Sequence, residues 1–410
     1  MTNKKISITQ IKNDDIREAV FEALELINAE NLLKNEDMNI LIKPNILMGK
    51  EPSRAVNTHP EVIKAVIRWL KSHGQENITV GESSGTSNPG ATKKAFGESG
   101  IKKICEEEDV DWTPFEETER KKYQVSNPLV LNEFYSSPLI DTADLIINIP
   151  KIKTHWQCLL TCCIKNMFGT LILGNKAKTH AKYPNHEAFS SALTDIYSVS
   201  RPQLTVVDGF LCQEGKGPSQ GDVVKMDLIM AGFDPVALDT AVCKIIGFDP
   251  NEVHYIEKAE EKGLGTSNLD HIELLGEKIQ EVRRDFERPR LRPVSVPLPG
   301  WLADYMGDVI FRSSVKFDSE KCKLCSTCWE NCPANAISPP EEIKKGNTPK
   351  WNKEKCIFCY CCAELCPHEA VNFKINYIKN FLFSWAGVIF IIILSIIMGI
   401  ILWIFLPFGL

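Results

Sequence analysis

The sequence predicts an α/β domain with a mainly parallel sheet and helices on both faces, followed by a small α+β domain and a C-terminal transmembrane helix. Three observations support this prediction. Short apolar runs rich in Ile, Val and Leu alternate with helical patterns over residues 1–282. Eight cysteines then fall into two matching groups. The chain ends in residues 381–410, which contain no charged side chain.

Five apolar runs in the first domain are the predicted strands, and helical patterns separate or follow them. The runs do not alternate polar and apolar residues, which is typical of strands buried on both faces of a parallel sheet. Interleaved helices supply the crossover connections that such a sheet needs. The predicted strands are 39–42, 77–80, 144–149, 204–207 and 228–232, and the predicted helices are 14–33, 60–73, 91–104, 158–168, 187–199, 235–246 and 252–262.

Polar residues follow several of these strands directly. Ligands of open α/β sheets bind outside the carboxyl ends of the strands, so these residues mark the predicted functional edge. Lys151, Lys153 and His155 alternate in the segment PKIKTH and share one face of an extended chain, which favours an anionic ligand over a solvated edge. Asp208 ends another strand, where it assists proton transfer, binds a metal or only caps the backbone.

Other loops of the same edge supply the remaining candidates. The KPN motif at 43–45 and the GESSG motif at 81–85 follow the first two strands, although GESSG lacks the established phosphate-loop patterns. A polar Lys-Asn pair at 165–166 interrupts an apolar helix, which packing alone does not explain. The catalytic candidates are Lys153, His155 and Asp208, and the binding candidates are Lys43, Asn45, Glu82, Ser83, Ser84, Lys151, Lys165 and Asn166.

Two neighbouring features have competing interpretations. Cys158, Cys162 and Cys163 lie within one helical turn or so, and a third cluster there competes with the favoured alternative of small buried core residues. Residues 174–186 are basic and rich in turn formers, which suggests a lid, and they include His180. Single histidines of this kind are more often solvated than catalytic.

The cysteine-rich segment is an internal duplication. CKLCSTCWENCP at 322–333 and CIFCYCCAELCP at 356–367 each fit the spacing C-x₂-C-x₂-C-x₃-C-P. This is the pattern of bacterial-type ferredoxins with two [4Fe–4S] clusters, in which the fourth cysteine of each run binds the other cluster. Zinc ribbons and disulfides do not explain it. Cys361 has no counterpart and is predicted to be a packed thiol. The predicted ligands are Cys322, Cys325, Cys328 and Cys366 for one cluster, and Cys356, Cys359, Cys362 and Cys332 for the other.

The C-terminal segment predicts a membrane anchor. A helix over residues 381–406 would be about 39 Å long, against a hydrocarbon core of about 30 Å. Lys374 and Lys379 precede it and no charge follows it, so the positive-inside rule places the preceding domains in the cytoplasm. We therefore expect a single-pass membrane protein with a C-terminal anchor. A buried core helix is the alternative.

The chain thus divides into four predicted regions. Residues 1–282 form the α/β domain, and residues 283–313 form a linker rich in proline and arginine. An apolar stripe at 301–310 indicates an amphipathic helix that lies in the membrane interface or packs on a domain. Residues 314–376 form the ferredoxin-like domain, and residues 381–406 form the transmembrane helix.

Several ordered motifs resemble one known family. KPN, THPEV, GESSG, IPKIKTH, CIKNMFG and VVDG together resemble the domain of unknown function 362 family over residues 1 to about 270. This family occurs alone or joined to a ferredoxin-like segment, and the resemblance implies an α/β fold and no established reaction. Residues 315–375 separately resemble a bacterial-type ferredoxin with two [4Fe–4S] clusters.

Two functions fit these observations. In the first, the chain is an iron–sulfur oxidoreductase that passes electrons through two [4Fe–4S] clusters to a small anionic substrate in the α/β domain. In the second, it is a tail-anchored electron carrier for a membrane or lipid-modifying redox partner protein, and the α/β domain is a docking or sensing module. A formal net charge of −6 over 410 residues does not indicate a nucleic-acid partner. No flavin or nicotinamide fingerprint is visible.

Overall fold

A computed structural model describes residues 5–289 and 314–374, except 87, 184 and 358, together with 389, 390, 393 and 395–398. The strands, numbered in chain order, are β1 Lys5–Gln10, β2 Ile40–Pro44, β3 Ile78–Glu82, β4 Asp111–Pro114, β5 Lys121–Gln124, β6 Glu133–Ser136, β7 Leu145–Ile149, β8 Lys151–His155, β9 Leu159–Thr161, β10 Leu204–Glu214, β11 Asp222–Gly232, β12 Glu273–Gly276, β13 Ser314–Phe317, β14 Ile337–Ser338, β15 Lys350–Trp351 and β16 Val371–Lys374.

The α-helices are α1 Ile16–Leu26, α2 Pro60–Ser72, α3 Ala91–Glu98, α4 Ile101–Glu107, α5 Leu139–Thr142, α6 Cys163–Asn166, α7 Asn175–Lys182, α8 His186–Val199, α9 Pro235–Ile245, α10 His254–Glu261, α11 Ile279–Val282, α12 Thr327–Glu330 and α13 Cys361–Glu364. Short 3₁₀ helices cover Ala29–Leu32, Pro52–Arg54, Phe115–Glu117, Met167–Thr170, Pro250–Glu252 and Leu269–His271.

The main sheet is mixed, which corrects the predicted mainly parallel sheet. Its strand order is β12-β1-β11-β10-β7-β2-β3-β4, and β8 with β9 extends from β10. The half from β10 to β4 is parallel, whereas β11 runs antiparallel to both β1 and β10. The physical reason is the short loop 215–221 between β10 and β11, because so short a connection only allows antiparallel neighbours.

Helices cover both faces of this sheet, and side chains of one strand alternate between the two cores. Ile40 and Ile42 of β2 pack in the core that contains α1 to α4. Leu41, between them, packs in the other core with residues of α8, α9 and α10. Because strand side chains point alternately to opposite faces, such a strand is apolar throughout, as the sequence showed.

One predicted helix is wrong in its first half. The apolar pattern of residues 158–168 predicts a helix throughout, but β9 (Leu159–Thr161) pairs antiparallel with β8 before α6 begins at Cys163. Short apolar runs fit a buried strand and a buried helix equally well, so periodicity does not separate them. The resulting β8–β9 hairpin brings His155 close to the start of α6.

The small domain repeats one unit twice, in agreement with the duplicated sequence. The first unit is β13, α12 and β14, and the second is β15, α13 and β16. The outer strands β13 and β16 pair antiparallel, and so do the inner strands β14 and β15. Each short helix follows the first cysteines of its run.

The small domain packs against the carboxyl edge of the main sheet. Met48 and Val56, in the loop after β2, share a buried apolar cluster with Cys359, Cys361 and Leu365. Trp156, directly after β8, stacks on Tyr360 with 5.7 Å between ring centroids and 14° between planes. Polar contacts frame this apolar centre: Lys50 Nζ donates to the Pro367 carbonyl at 2.8 Å, and Gln220 Nε2 donates to the Ala363 carbonyl at 2.6 Å.

The predicted transmembrane helix at 381–406, and the single-pass anchor and cytoplasmic orientation derived from it, are corrected. Within the part of the chain that the structure describes, no helix is both long enough and apolar enough to cross a bilayer. The prediction rested on a charge-free composition, which does not by itself establish a continuous helix. Most of 381–406, and linker residues 290–313 with the predicted amphipathic helix, lie outside the described residues.

Candidate functional site

A cavity lies where the small domain meets the carboxyl edge of the sheet. The loops after β2 and β3, strand β8 and helices α6 and α7 form most of its wall. Helix α13 of the small domain completes the wall with Cys361, Glu364 and the following Leu365. The cavity is therefore built by both parts of the chain.

Seven of the eleven predicted site residues line this cavity. They come from four separate segments that the sheet topology brings to one edge, as the rule for ligands of open α/β sheets predicts. These seven residues are Asn45, Glu82, Ser83, Lys153, His155, Lys165 and Asn166.

Lys43 lies directly behind the cavity and holds Glu82 in place. Its ammonium group donates to Glu82 Oε2, and both side chains are buried. Burial lowers the pKa of Lys43, and the Glu82 carboxylate opposes this shift. Gly169 closes over the pair, since a Cβ atom at this position would lie 2.4 Å from both Glu82 Oε1 and Lys43 Nζ. The glycine of the CIKNMFG motif is thus explained by contact with a buried ion pair.

Lys153 is a buried amine on the cavity wall. Its Nζ donates to Asn45 Oδ1 at 2.8 Å and to the Val56 carbonyl at 2.6 Å. Among the described residues no carboxylate pairs with it. Burial lowers the pKa of Lys153 well below its usual value, and nearby Lys165 and Lys151 lower it further. The amine is consequently less charged than a surface lysine and sensitive to any anion that enters.

His155 has a defined tautomer. Its Nδ1 accepts hydrogen bonds from the backbone N–H groups of Gln157 at 3.0 Å and Cys158 at 3.2 Å. Burial lowers the pKa of His155 well below its usual value, so the ring is neutral and carries its proton on Nε2. That nitrogen faces Glu364 Oε1 at 3.4 Å.

Glu364 is the carboxyl group that the small domain contributes. Burial raises its pKa to about 7, and the charges of Lys165 and Lys153 oppose this rise. Neither Glu364 Oε1 nor His155 Nε2 has a hydrogen-bond partner within the described residues, because their 3.4 Å approach lacks the orientation of a hydrogen bond. The facing pair is therefore a mostly neutral contact and not a strong ion pair.

Lys165 and Lys176 add positive charge to the cavity. Lys165 lies over the Phe168 ring, 5.6 Å from its centroid, and has no ion-pair partner in the described ranges. Lys176 Nζ donates to the backbone carbonyls of Ser83 and Ser84. Burial lowers the pKa of Lys176 to about 8. A molecule in this cavity thus meets ammonium groups from two directions.

Three other predicted residues lie outside the cavity. Lys151 and Asp208 form a fully buried ion pair with 2.7 Å between Nζ and Oδ2. Asp208 also accepts from the backbone N–H groups of His59 and Phe210, which is the capping role among the predicted alternatives. The Ser84 hydroxyl accepts from Thr92, and Ser84 borders a neighbouring cavity.

Sequence reasoning missed several residues of the site. Lys176 and His180 lie in the segment predicted as a lid, but neither was singled out as a ligand-binding residue. Glu364 and Cys361 come from the other domain, so strand-end positions in the sheet did not indicate them. The one available signal was Cys361 itself, the cysteine without a counterpart in the repeat.

The predicted cluster cysteines lie in the small domain. Cys332, Cys356, Cys359 and Cys362 line a small cavity whose other walls are mainly apolar. Burial raises the pKa of Cys328 to about 12, and the neighbouring thiols Cys366, Cys325 and Cys322 raise it further.

Backbone N–H groups donate to two of these sulfur atoms, at equivalent positions of the two repeats. The Ala336 N–H donates to Cys332 Sγ at 3.2 Å, and the Ala370 N–H donates to Cys366 Sγ at 3.3 Å. Amide donors of this kind suit thiolates that bind iron–sulfur clusters, where hydrogen bonds to sulfur tune the potential. The donor set and its apolar surroundings therefore fit such clusters, although the sulfur atoms are only partly gathered.

Comparison with known proteins gives two matches. Residues 40–244, half of the chain, match the family described as Domain of unknown function (DUF362). The chain belongs to the DUF362 family. Residues 321–370 of this DUF362 chain match a 4Fe-4S dicluster domain. Both resemblances are confirmed, and the second supports iron–sulfur clusters and indicates electron transfer by this part of the protein.

A thylakoid-associated protein of Synechocystis sp. is 28% identical to this DUF362 protein over 271 residues, which are 66% of this chain and 82% of that one. Among solved structures, the lactate racemase apoprotein from Thermoanaerobacterium thermosaccharolyticum matches with 12% identity and a TM-score of 0.37, over 64% of this chain and 57% of that chain. A protein from Thermotoga maritima matches with 12% identity and a TM-score of 0.34, over 61% and 58%. Scores this low support no functional inference.

Proposed function

We propose that this protein is an iron–sulfur oxidoreductase in which the ferredoxin domain delivers electrons to an anionic substrate held in the cavity between the two domains. One observation carries the proposal. Helix α13 contains the predicted cluster ligand Cys362, and the same helix forms the cavity wall with Cys361 and Glu364. A substrate in the cavity would therefore lie directly beside the electron-transfer domain.

The proposal includes two [4Fe–4S] clusters. When bound, the clusters supply single electrons, at potentials that the surrounding protein tunes. In each of the two proposed ligand sets, three cysteines come from one repeat and the fourth comes from the other repeat. They are Cys322, Cys325, Cys328 and Cys366, and Cys356, Cys359, Cys362 and Cys332.

The charge of the cavity supports an anionic substrate. Lys153, Lys165 and Lys176 line it together with two carboxyl groups. Of these, Glu82 is already neutralised by Lys43, and the pKa of Glu364, raised to about 7 by burial, leaves it only partly charged. The remaining charge is positive, so a carboxylate or phosphate is the chemistry that the cavity favours. Lys165 is the cation with most freedom to contact it.

His155 and Glu364 are the groups that can supply a proton. Reduction of most organic substrates requires protons as well as electrons. His155 holds a proton on Nε2, which lies 3.4 Å from Glu364 Oε1 in the cavity wall. Asp208 is not assigned this role, because Lys151 and two backbone amides already occupy its oxygens.

A reoxidation assay tests this function. The full chain, purified without oxygen and reduced chemically, is mixed with single carboxylates and phosphates, and its visible absorbance is followed. We expect one class of anion to accelerate reoxidation, and Lys165→Gln to slow it by about tenfold or more, since a charge-assisted contact is worth roughly 1.5–3 kcal/mol. Lys178→Gln is the matched control, because Lys178 is an exposed lysine on helix α7, which also carries His180.

The same assay tests the competing function, in which the protein is an electron carrier. If every anion left the reduced protein unchanged while an added redox protein reoxidised it at equal rates in the wild type and in Lys165→Gln, the proposal would be wrong. That result would favour an electron carrier. The iron content of each variant is measured alongside, so that loss of clusters is not mistaken for loss of substrate binding.

A further inference from the structure

A second group of potential metal ligands lies apart from the eight cluster cysteines. One ligand atom each of His180, Cys361 and Glu364 lies within 4.8 Å of the others, and all three residues are buried. His180 comes from α7 of the α/β domain, whereas Cys361 and Glu364 begin and end α13 of the ferredoxin domain. All three line the cavity.

We propose that His180, Cys361 and Glu364 bind a single divalent transition-metal ion, such as Zn²⁺, at the wall of the cavity. The proposed electron transfer requires only the iron–sulfur clusters, so this metal site is an addition to that function and is tested separately from it. With the ion bound, Glu364 would be a ligand, and His155 would remain as the proton source.

The surroundings of His180 hold its ring in a tautomer and orientation that suit a metal ligand. Its Nδ1 lies 2.8 Å from Gln157 Oε1, an acceptor, so Nδ1 carries the ring proton and the Nε2 lone pair is available. Metal-binding histidines typically donate their second N–H to such an oxygen, which fixes the ring. The Phe189 ring stacks on the imidazole, with centroids 4.2 Å apart, and also holds its plane.

The two repeats differ in burial at the positions of the other two ligands. In the first cysteine run, the positions equivalent to Cys361 and Glu364 are Thr327 and Glu330, which are half-buried and exposed. In the second run both positions are buried. Glu364 Oε1 has no hydrogen-bond partner among the described residues, and a buried polar atom left without one is unfavourable. A metal ion would satisfy this oxygen.

His155 is a positioning residue in this arrangement and not a fourth ligand. Its Nδ1 already accepts two backbone hydrogen bonds, so its Nε2 carries the proton and has no lone pair for a metal. His155 Nε2 lies 3.4 Å from Glu364 Oε1, close enough that its N–H could donate to this carboxylate once a bound metal fixes it. Outer partners of this kind typically change metal affinity by about 10–100-fold when they are removed.

The ligand set determines the class of metal. One thiolate, one imidazole and one carboxylate suit zinc and related borderline-soft ions. Three protein ligands leave a coordination position open, which is typical of catalytic and not structural zinc sites. All three ligands line the cavity, so a bound ion could polarise an oxygen of the anionic substrate there. The two ligand charges would balance a divalent ion in this buried setting.

A different group satisfies the same distance criterion but has a structural role. Cys162, Cys163 and Asp239 are also buried within ligand distance of one another. However, Asp239 accepts from the backbone N–H groups of Cys163 at 2.7 Å and Ile164 at 3.0 Å. Both carboxylate oxygens therefore anchor the start of α6, and this group serves as the control.

Zinc binding to the full chain tests the proposal. The protein, purified without oxygen and with its iron content measured, is incubated with Zn²⁺, freed of excess metal and analysed for zinc. We expect about one Zn²⁺ per chain, with one sulfur neighbour near 2.3 Å and N/O neighbours near 2.0–2.2 Å in the X-ray absorption spectrum at the zinc edge. Iron does not interfere at this edge.

Variants distinguish this site from its competitors. His180→Gln and Cys361→Ser should each lower bound zinc by at least about tenfold without changing the iron content, whereas Cys163→Ser should retain it. His180 lies far from the cysteine runs in sequence, so its variant remains informative if Cys361→Ser disturbs a cluster. His155→Gln should weaken binding by about 10–100-fold.

Three outcomes would overturn the proposal. The first is no zinc above background in the wild type, and the second is equal zinc in wild type, His180→Gln and Cys361→Ser. The third is a zinc site with two or more sulfur neighbours, which would place the ion on cluster cysteines or on the Cys162–Cys163 pair. None of these depends on the reoxidation assay, so the two proposals fail independently.

Discussion

At the scale of single residues, Gly169 is a position where the surrounding structure leaves no space for a side chain. The buried Lys43–Glu82 pair occupies the space that a Cβ atom would need. Disturbing a buried ion pair is expensive because each charge loses the partner that compensates its burial. The position is therefore fixed by the ion pair and not by backbone conformation.

Gly169→Ala is expected to destabilise the protein by about 1–3 kcal/mol, as overpacking of a filled interior does. Gly97→Ala is the control, since a Cβ atom there meets nothing within 4 Å in helix α3 and alanine favours helices. The midpoints of thermal unfolding of both variants would be compared with the wild type. Equal midpoints for Gly169→Ala and the wild type would contradict this account of the ion pair.

Asp239 makes the stability of the protein depend on pH. Burial raises its pKa to about 6, although two backbone N–H groups oppose the rise. The folded state therefore holds a proton that the unfolded state has released between about pH 4 and pH 6. Because the folded state binds more protons in this window, this group's contribution to stability is present at low pH and is lost as the pH rises through about 6.

We expect the wild type to lose about 1 kcal/mol between pH 5 and pH 7 relative to Asp239→Asn, whose side chain does not titrate. Thermal unfolding of both proteins at the two pH values gives the comparison. The difference between the two melting temperatures should grow in favour of the variant as pH rises. A difference that does not change with pH would show that Asp239 is already ionised at pH 5.

Much of the site could be predicted from residues that directly follow strands. Lys153, His155 and Asn45 were found this way because parallel strands end at one edge of a sheet. Asp208 followed the same rule, yet its oxygens are used by Lys151 and backbone amides, and sequence does not reveal such local partners. Glu364 was not predictable, because its importance depends on how two domains pack.

At the scale of elements, the hairpin of β8 and β9 connects the sheet to the ferredoxin domain. It places Lys153 and His155 in the cavity, and its turn begins with Trp156, which stacks on Tyr360. Tyr360 in turn contacts the Phe373 ring of β16 edge-on, with centroids 4.8 Å apart. The Trp156 and Phe373 rings also contact one another, with centroids 5.9 Å apart, so a cluster of three rings joins the hairpin to the small domain.

Trp156→Ala is expected to loosen α13, because removal of a large buried aromatic side chain typically costs about 3–5 kcal/mol. Amide hydrogen exchange of residues 359–366 should accelerate by about tenfold or more, since exchange follows the free energy of local opening. Trp112→Ala is the control, because Trp112 packs on Phe96 at the far edge of the sheet. Unchanged exchange in α13 would mean that the stack does not hold this helix.

The strands also show which features of the fold a sequence pattern does not predict. The buried strands β2, β3 and β7 were predictable because a short, continuous apolar run between turn residues is typical of a strand inside a parallel sheet. The direction of β11 was not, since the same apolar run serves a parallel or an antiparallel neighbour. Only the length of the connection after β10 decides between them.

At the scale of the whole molecule, the two domains are held together mainly by apolar contact. Met48 and Val56 are buried against the ferredoxin domain. Arg54 also pairs with Glu369 across the junction, but 44% of the arginine side chain and 31% of the glutamate side chain remain exposed. Exposed ion pairs of this kind typically contribute between 0 and about 1 kcal/mol.

Two variants in the segment after β2 test whether apolar burial or charge holds the two domains together. Met48→Asp buries a charge in the junction and should separate the domains, with faster hydrogen exchange over 153–161 by about tenfold or more. Arg54→Gln should change the same exchange rates by no more than about twofold to fivefold. A larger effect of Arg54→Gln than of Met48→Asp would mean that charge, and not apolar burial, holds the domains.

The α/β class of the first domain and the duplication of the second followed from local sequence patterns, whereas the arrangement of the two domains did not. Period and spacing report on residues that are near one another along the chain, as in the two cysteine runs. The junction brings residues near position 50 together with residues near position 365, and no local pattern encodes that contact. The site forms only at this junction, which is why its second wall could not be expected.

The position of helix α13 links two events that are usually separate. The helix is at once part of the cavity wall and part of the segment that holds the cluster cysteines. If the proposed function is correct, a displacement of α13 that admitted a substrate would also move the proposed cluster ligand Cys362 away from it. Substrate exchange and electron delivery would then alternate and not coincide.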